Sequence, residues 1–284
     1  MLSIGNDRLS LILAPDYGAR VVTLTDRSSG RQWLATGPQS TQTGEDACYG
    51  ADEAVGWDEC FPTVLACSHP AWEGRLRDHG ALWGRKWIVD RAEADCVETR
   101  FDAPQFRFSR RLTVRGAAVI ADYRVTNLGV ASLPYLWSQH CLLAALSDDR
   151  ITLEGHEKLR VGEDHFSWPR HCDRDLSTVG PISEGFALKA YAETPGHASA
   201  AIVGPNGGLR LDWDAVPAFG LWLCYGGWPK GKPVHQVALE PTTAAADDLS
   251  VADALGQARA LDPHETHTWS VRMTLTSPDE RALQ

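Results

Sequence analysis

The chain has no Cys-x-x-Cys pair, and its seven cysteines, at 48, 60, 67, 96, 141, 172 and 224, make an odd number. This argues against a disulfide framework or a ribbon-type zinc site, and predicts reduced, mostly buried thiols in a cytoplasmic protein. No apolar run approaches the roughly 18 residues that a membrane span requires. The opening segment, Met1 to Asp7, lacks a basic stretch followed by an apolar one, so no secretory signal is expected. Basic residues are outnumbered, and the formal net charge is −10. That balance argues against a nucleic-acid partner, which needs basic surface to neutralise phosphate. It also argues against an anionic membrane surface. A Gly-x-Ser-x-Gly elbow, a His-Glu-x-x-His helix and the glycine-rich phosphate loops are all missing. His165, His171 and Cys172 could ligate a metal, but nothing nearby completes the set, so a polar loop and no metal are expected there.

Helical periodicity is also scarce. Only the stretch from Asp247 to Arg259 could hold a short helix, and Gly256 weakens it. The dominant rhythm has period two. Leu9, Leu11 and Leu13 alternate with Ser10 and Ile12, and a turn follows at Pro15 to Gly18. The segments 110–114 and 119–125 read as arms of a hairpin about Gly116, with Ala121, Tyr123 and Val125 on one face. A second hairpin joins 200–203 to 209–213 across Gly204-Pro205-Asn206-Gly207-Gly208. His267, Trp269, Val271, Met273 and Leu275 mark a last half-buried strand. Many short strands punctuated by Gly and Pro predict an all-β sandwich or barrel. With no linker or repeat visible, residues 1–284 read as a single domain.

Three residues have the types that proton transfer near neutral pH requires. Glu240 lies between the apolar Ala238-Leu239 and Pro241, at the expected end of a strand. His140 is embedded in Trp137-Ser138-Gln139-His140-Cys141-Leu142, which predicts burial. His79 precedes Gly80, where backbone can approach a ligand, with Trp83, Arg85 and Trp87 beyond it. Each also has an ordinary reading: a surface Glu beside a turn, a core histidine bonded to backbone, a turn against aromatic core. The chain holds 11 tryptophans, and sugar C–H faces pack on aromatic rings. Trp57, Trp83, Trp137, Trp213, Trp222 and Trp228 are candidates for such stacking, although most tryptophans are simply core. The segment 226–232 reads either as a loop bordering a cleft or as a plain surface turn.

Together these motifs resemble the aldose 1-epimerase (galactose mutarotase-like) family over nearly the whole chain. The resemblance starts in the segment 11–26, continues through Gly30-Arg31-Gln32-Trp33-Leu34 and Gly56-Trp57-Asp58-Glu59-Cys60-Phe61-Pro62-Thr63, and then takes in His79-Gly80, His140 and Glu240-Pro241 in the family's order. It implies a large antiparallel β-supersandwich with its site in a concave cleft. It also implies an isomerase that needs no cofactor and acts on a small sugar. Glu240 would take the proton of the anomeric hydroxyl and His140 would protonate the ring oxygen. His79 would bind the ring side, with Arg85, Trp137, Trp222 and Trp228 as further sugar-binding candidates. His140 is followed by Cys141-Leu142-Leu143, where the family's galactose enzymes have a proline and aromatics, so contacts to the outer hydroxyls do not carry over. The alternatives are a non-catalytic sugar-binding or sensing protein, a hexose-6-phosphate mutarotase needing a cluster of basic residues, or another carbohydrate epimerase or lyase on this fold. Oligomeric state is not legible.

Overall fold

The computed structural model describes residues 1–37, 43–44, 47–50, 52–194 and 196–276. Among these, two antiparallel sheets dominate. The larger has ten strands, in the spatial order Leu2–Gly5, Leu9–Ala14, Arg20–Asp26, Trp57–Cys60, Ser138–Leu143, His235–Thr242, Ala218–Tyr225, Phe186–Glu193, Lys158–Val161 and Asp164–Ser167. The second has eight: Arg150–Glu154, Ala198–Gly204, Gly207–Asp214, Thr266–Thr276, Ala118–Asn127, Phe106–Arg115, Cys96–Asp102 and Ile88–Ala92. The all-β supersandwich expected from the sequence is the fold observed.

The alternation seen in the sequence drives the packing. Along Phe106–Arg115, residues 106, 108, 110, 112 and 114 are buried and their neighbours face outward. Its hairpin partner Ala118–Asn127 runs in unbroken register, from Ala118 opposite Arg115 to Asn127 opposite Phe106. Burying each large aliphatic or Phe side chain contributes about 1.5–3 kcal/mol, so a one-residue slip would be prohibitive. The hairpin 198–214 has a tighter turn than expected. Gly204 pairs with Gly207, leaving Pro205 and Asn206 as the two-residue loop. The positive φ of this turn falls on Gly207 (φ 123°), the first paired residue after the loop, where glycine tolerates it. The short helix falls at Leu249–Ala254, where the Asp248 side chain accepts from the amides of Ser250 and Val251.

A buried polar network joins the two sheets. One oxygen of Glu59 accepts from Arg110 Nη1 (2.9 Å), Trp57 Nε1 (2.9 Å) and Tyr123 OH (3.0 Å). The other accepts from Trp137 Nε1 at 2.9 Å. Both Glu59 and Arg110 side chains are fully buried. No helix among the described residues is long and apolar enough to cross a membrane.

Candidate active site

The larger sheet has one face on the shared core and the other on a cavity, and strand register decides which side chains reach the cavity. Ser138 lies opposite Thr242 and Leu142 opposite Ala238, which sets His140 against Glu240 on the neighbouring strand. On the other side of Glu240 lies Gly220, and Gly220 in turn pairs with Tyr191. Asp58 pairs with His140 and Cys60 with Ser138. Asp58, Cys60, His140, Glu240, Trp222 and Lys189 therefore share one face. The intervening Glu59, Gln139, Cys141, Leu239 and Leu221 turn to the core. Glu240 is third from the end of its strand, which includes Pro241 and stops at Thr242. Gly220 leaves room for the carboxylate, because a Cβ there would sit 3.0 Å from Glu240 Oε2.

His79 arrives from a loop. It has φ 60°, and Gly80 after it has φ 74°. A Cβ on Gly80 would lie 2.1 Å from the Phe61 carbonyl oxygen, so only glycine lets this loop dock on the strand end. The His79 ring stacks on Tyr49, with centroids 3.5 Å apart and planes 8° from parallel. Its Nδ1 lies 3.0 Å from Asp78 Oδ1, and the ring meets His140 edge-on at 4.7 Å. With Nδ1 engaged by Asp78, the ring is held in one orientation.

The electrostatics follow from burial. Lys189 Nζ donates to Glu240 Oε2, and Ser138 Oγ donates to the same oxygen at 3.4 Å. Burial disfavours the Lys189 ammonium, but Glu240 and Asp247 outweigh it and raise its pKa. His140 goes the other way. Burial pushes it well below the usual histidine range, and His79, Lys189 and Arg20 add to the push. Burial thus favours a neutral His140 imidazole, facing a carboxylate paired with Lys189. Arg20 is already committed to Asp58 (2.6 Å) and Glu53 (3.3 Å).

His79, His140, Lys189 and Glu240 line a cavity of about 280 Å³, whose walls also include Tyr49, Trp222 and Trp228. The rings of Trp222 and Trp228 stand 6.3 Å apart at 81°. The segment 226–232 thus borders the cavity through Trp228. A larger cavity of about 420 Å³ lies near Tyr17, Arg20 and Val55, without a Glu–His pair on its walls.

Five of the seven residues singled out in the sequence, Glu240, His140, His79, Trp222 and Trp228, meet here. Two do not. Trp137 immediately precedes the strand Ser138–Leu143 and is fully buried in the core, where its indole N–H donates to Glu59. Arg85 lies off the cavity, its guanidinium 5.5 Å from the centre of the Phe101 ring. Sequence reasoning missed Tyr49, Asp78, Lys189 and Asp247. Lys189 left a signal, a lone lysine inside the apolar Ala187-Leu188-Lys189-Ala190. Tyr49 left none.

Among the described residues, two groups have metal-ligand chemistry. Cys60, His79 and His140 place one ligand atom each within 4.8 Å of one another. At the surface the set is Asp164, His171 and Cys172, with Asp164 where the sequence suggested His165.

No protein-family model matches the chain, and no curated protein matches it. Solved structures do. A galactose mutarotase-like protein from Lactobacillus casei superposes with a TM-score of 0.73 at 14% identity, covering 97% of this chain and 99% of the other. The chain has the galactose mutarotase-like fold. A galactose mutarotase-like protein from Clostridium acetobutylicum gives 0.72 at 14% identity, covering 97% and 94%. An Escherichia coli K12 protein with a provisional aldose 1-epimerase assignment gives 0.75 at 16%, covering 97% and 98%. At such identities the mutarotase-like fold is what the likeness shows, and the chemistry rests on the residues of this cavity.

Proposed function

We propose that the protein is an aldose 1-epimerase, interconverting the α and β anomers of a neutral free sugar. The observation that carries this reading is the opposition of Glu240 and His140 on adjacent strands, facing a cavity with an aromatic wall. Glu240 takes the proton of the anomeric hydroxyl while His140, protonated, gives its proton to the ring oxygen. The C1–O5 bond breaks, leaving the open-chain aldehyde. Rotation about C1–C2 presents the other carbonyl face, and the two transfers run in reverse. Glu240 and His140 are then restored to their starting protonation states, so the reaction needs no net reagent. Tyr49 and Asp78 hold His79 for the ring side of the sugar. Trp222 and Trp228 offer apolar faces to its C–H groups.

The cavity favours an uncharged substrate. Lys189 is the one lysine or arginine among its described lining residues, and it is already paired with Glu240. A 6-phosphate would lack the clustered basic groups it needs. A purely sugar-binding protein would not need a carboxylate and an imidazole opposed across the ligand, which favours the enzyme. Magnetisation transfer between α and β anomeric protons tests the reading, with glucose, galactose, xylose and glucose 6-phosphate as probes. Protein-dependent exchange of the neutral sugars supports it. Exchange of the phosphate alone, or sugar binding without exchange, overturns it.

Two predictions arise from the geometry. The proton donor is the protonated form of His140, the minor form at neutral pH because burial lowers its pKa. The value of kcat/KM should therefore rise as pH is lowered toward the depressed His140 pKa, by up to about tenfold per pH unit. A profile that is flat or falls on acidification would remove His140 from the donor role. Trp228→Ala should raise the sugar KM by roughly 3–10-fold, the equivalent of one aromatic contact. Steady-state kinetics across a sugar series checks this, and an unchanged KM would place the ligand elsewhere in the cavity.

A further inference from the structure

We propose that the protein binds a thiophilic divalent cation of the zinc class at the wall of this cavity, through the buried Cys60 Sγ and one ring nitrogen each of His79 and His140. The three residues come from separate segments, a strand end, a loop and a neighbouring strand, and their ligand atoms converge within 4.8 Å of one another. Around a tetrahedral zinc, sulfur at about 2.3 Å and nitrogen at about 2.0–2.1 Å lie roughly 3.3–3.6 Å apart. Modest side-chain rotation therefore closes the set.

A second observation points the same way. A metal-bound histidine typically gives its other nitrogen to a carboxylate, which fixes the ring. His79 Nδ1 already has that partner in Asp78, at 3.0 Å. On binding, the thiol proton is released to solvent and the sulfur lone pair forms the metal bond.

Binding uses both histidines assigned to the sugar, so cation and sugar exclude each other. This consequence rests on the proposed epimerase reading, whereas the cation site itself does not. A free thiol of this kind would make turnover sensitive to free zinc.

The test is titration of the reduced, metal-stripped full chain with cobalt(II), followed by absorption. The expected result is a thiolate-to-cobalt charge-transfer band with tetrahedral d–d bands, lost in Cys60→Ser and in His79→Gln but kept in Cys172→Ser. The last variant separates this site from the surface group around Cys172. Thermal unfolding of each variant shows whether it is folded, and zinc should raise the midpoint of the wild type and not that of Cys60→Ser. Absence of the band in the wild type, or its persistence in Cys60→Ser, overturns the proposal. Zinc should also abolish anomer exchange, reversibly with a chelator. If the cobalt band is present but the metal-free protein exchanges no anomers, the epimerase reading fails and the cation site stands. If metal-free exchange is present and the band is missing, the reverse holds.

Discussion

Glu240→Gln should slow protein-catalysed anomer exchange by about 10²–10⁴-fold, the range expected for loss of a positioned general base. Glutamine keeps the shape of the side chain and its contact with Ser138, but it cannot take the anomeric proton. The substitution also removes the counter-ion of Lys189, whose ammonium is stabilised by Glu240 against its own burial. The variant should therefore lose some stability while remaining folded. Circular dichroism with exchange kinetics on the same sample separates the two effects. Full activity in a folded Glu240→Gln protein would mean that another group is the base.

The second large effect lies away from the cavity. Glu59→Ala should destabilise the protein by about 3–5 kcal/mol, because it strips the partner from a fully buried Arg110. Trp57, Tyr123 and Trp137 would lose their acceptor in the same step. For a chain of this size the midpoint of thermal unfolding should fall by roughly 10 °C. Replacing both ends of the pair, as in Glu59→Leu with Arg110→Met, should recover part of the loss, because no charge is then left uncompensated. A single variant as stable as the wild type would show that the network contributes nothing net.

Strands with one buried face were legible because burial writes a period of two into the sequence, whereas Trp57–Cys60, Ser138–Leu143 and His235–Thr242, buried on both faces, carry no such period. The hairpins at 106–127 and 198–214 are examples of the first kind, although the two-residue turn at Pro205-Asn206 was tighter than the glycine-rich stretch suggested. His79, His140 and Glu240 were legible as an ordered set of motifs. Trp137 misled because it stands in the same apolar run as His140. Trp137 lies one residue before the strand that carries His140 and is held in the core by Glu59, a partner that no local pattern announces. Arg85 misled through proximity in sequence to His79, since the tight turn at Gly80 redirects the chain. Tyr49 and Asp247 were invisible because tertiary packing brings them in from loops without a local pattern. The convergence of Cys60 on the two histidines was hidden for the same reason: short-range metal motifs are read by spacing, and these ligands have none.

The most direct test of the account is polarimetry of freshly dissolved α-D-glucose and α-D-galactose, with wild-type protein, with Glu240→Gln and with buffer alone. The account predicts that wild type speeds relaxation of at least one sugar to its anomeric equilibrium, and that the variant brings the rate back near that of buffer. Relaxation at the buffer rate with wild type, for both sugars, would contradict it.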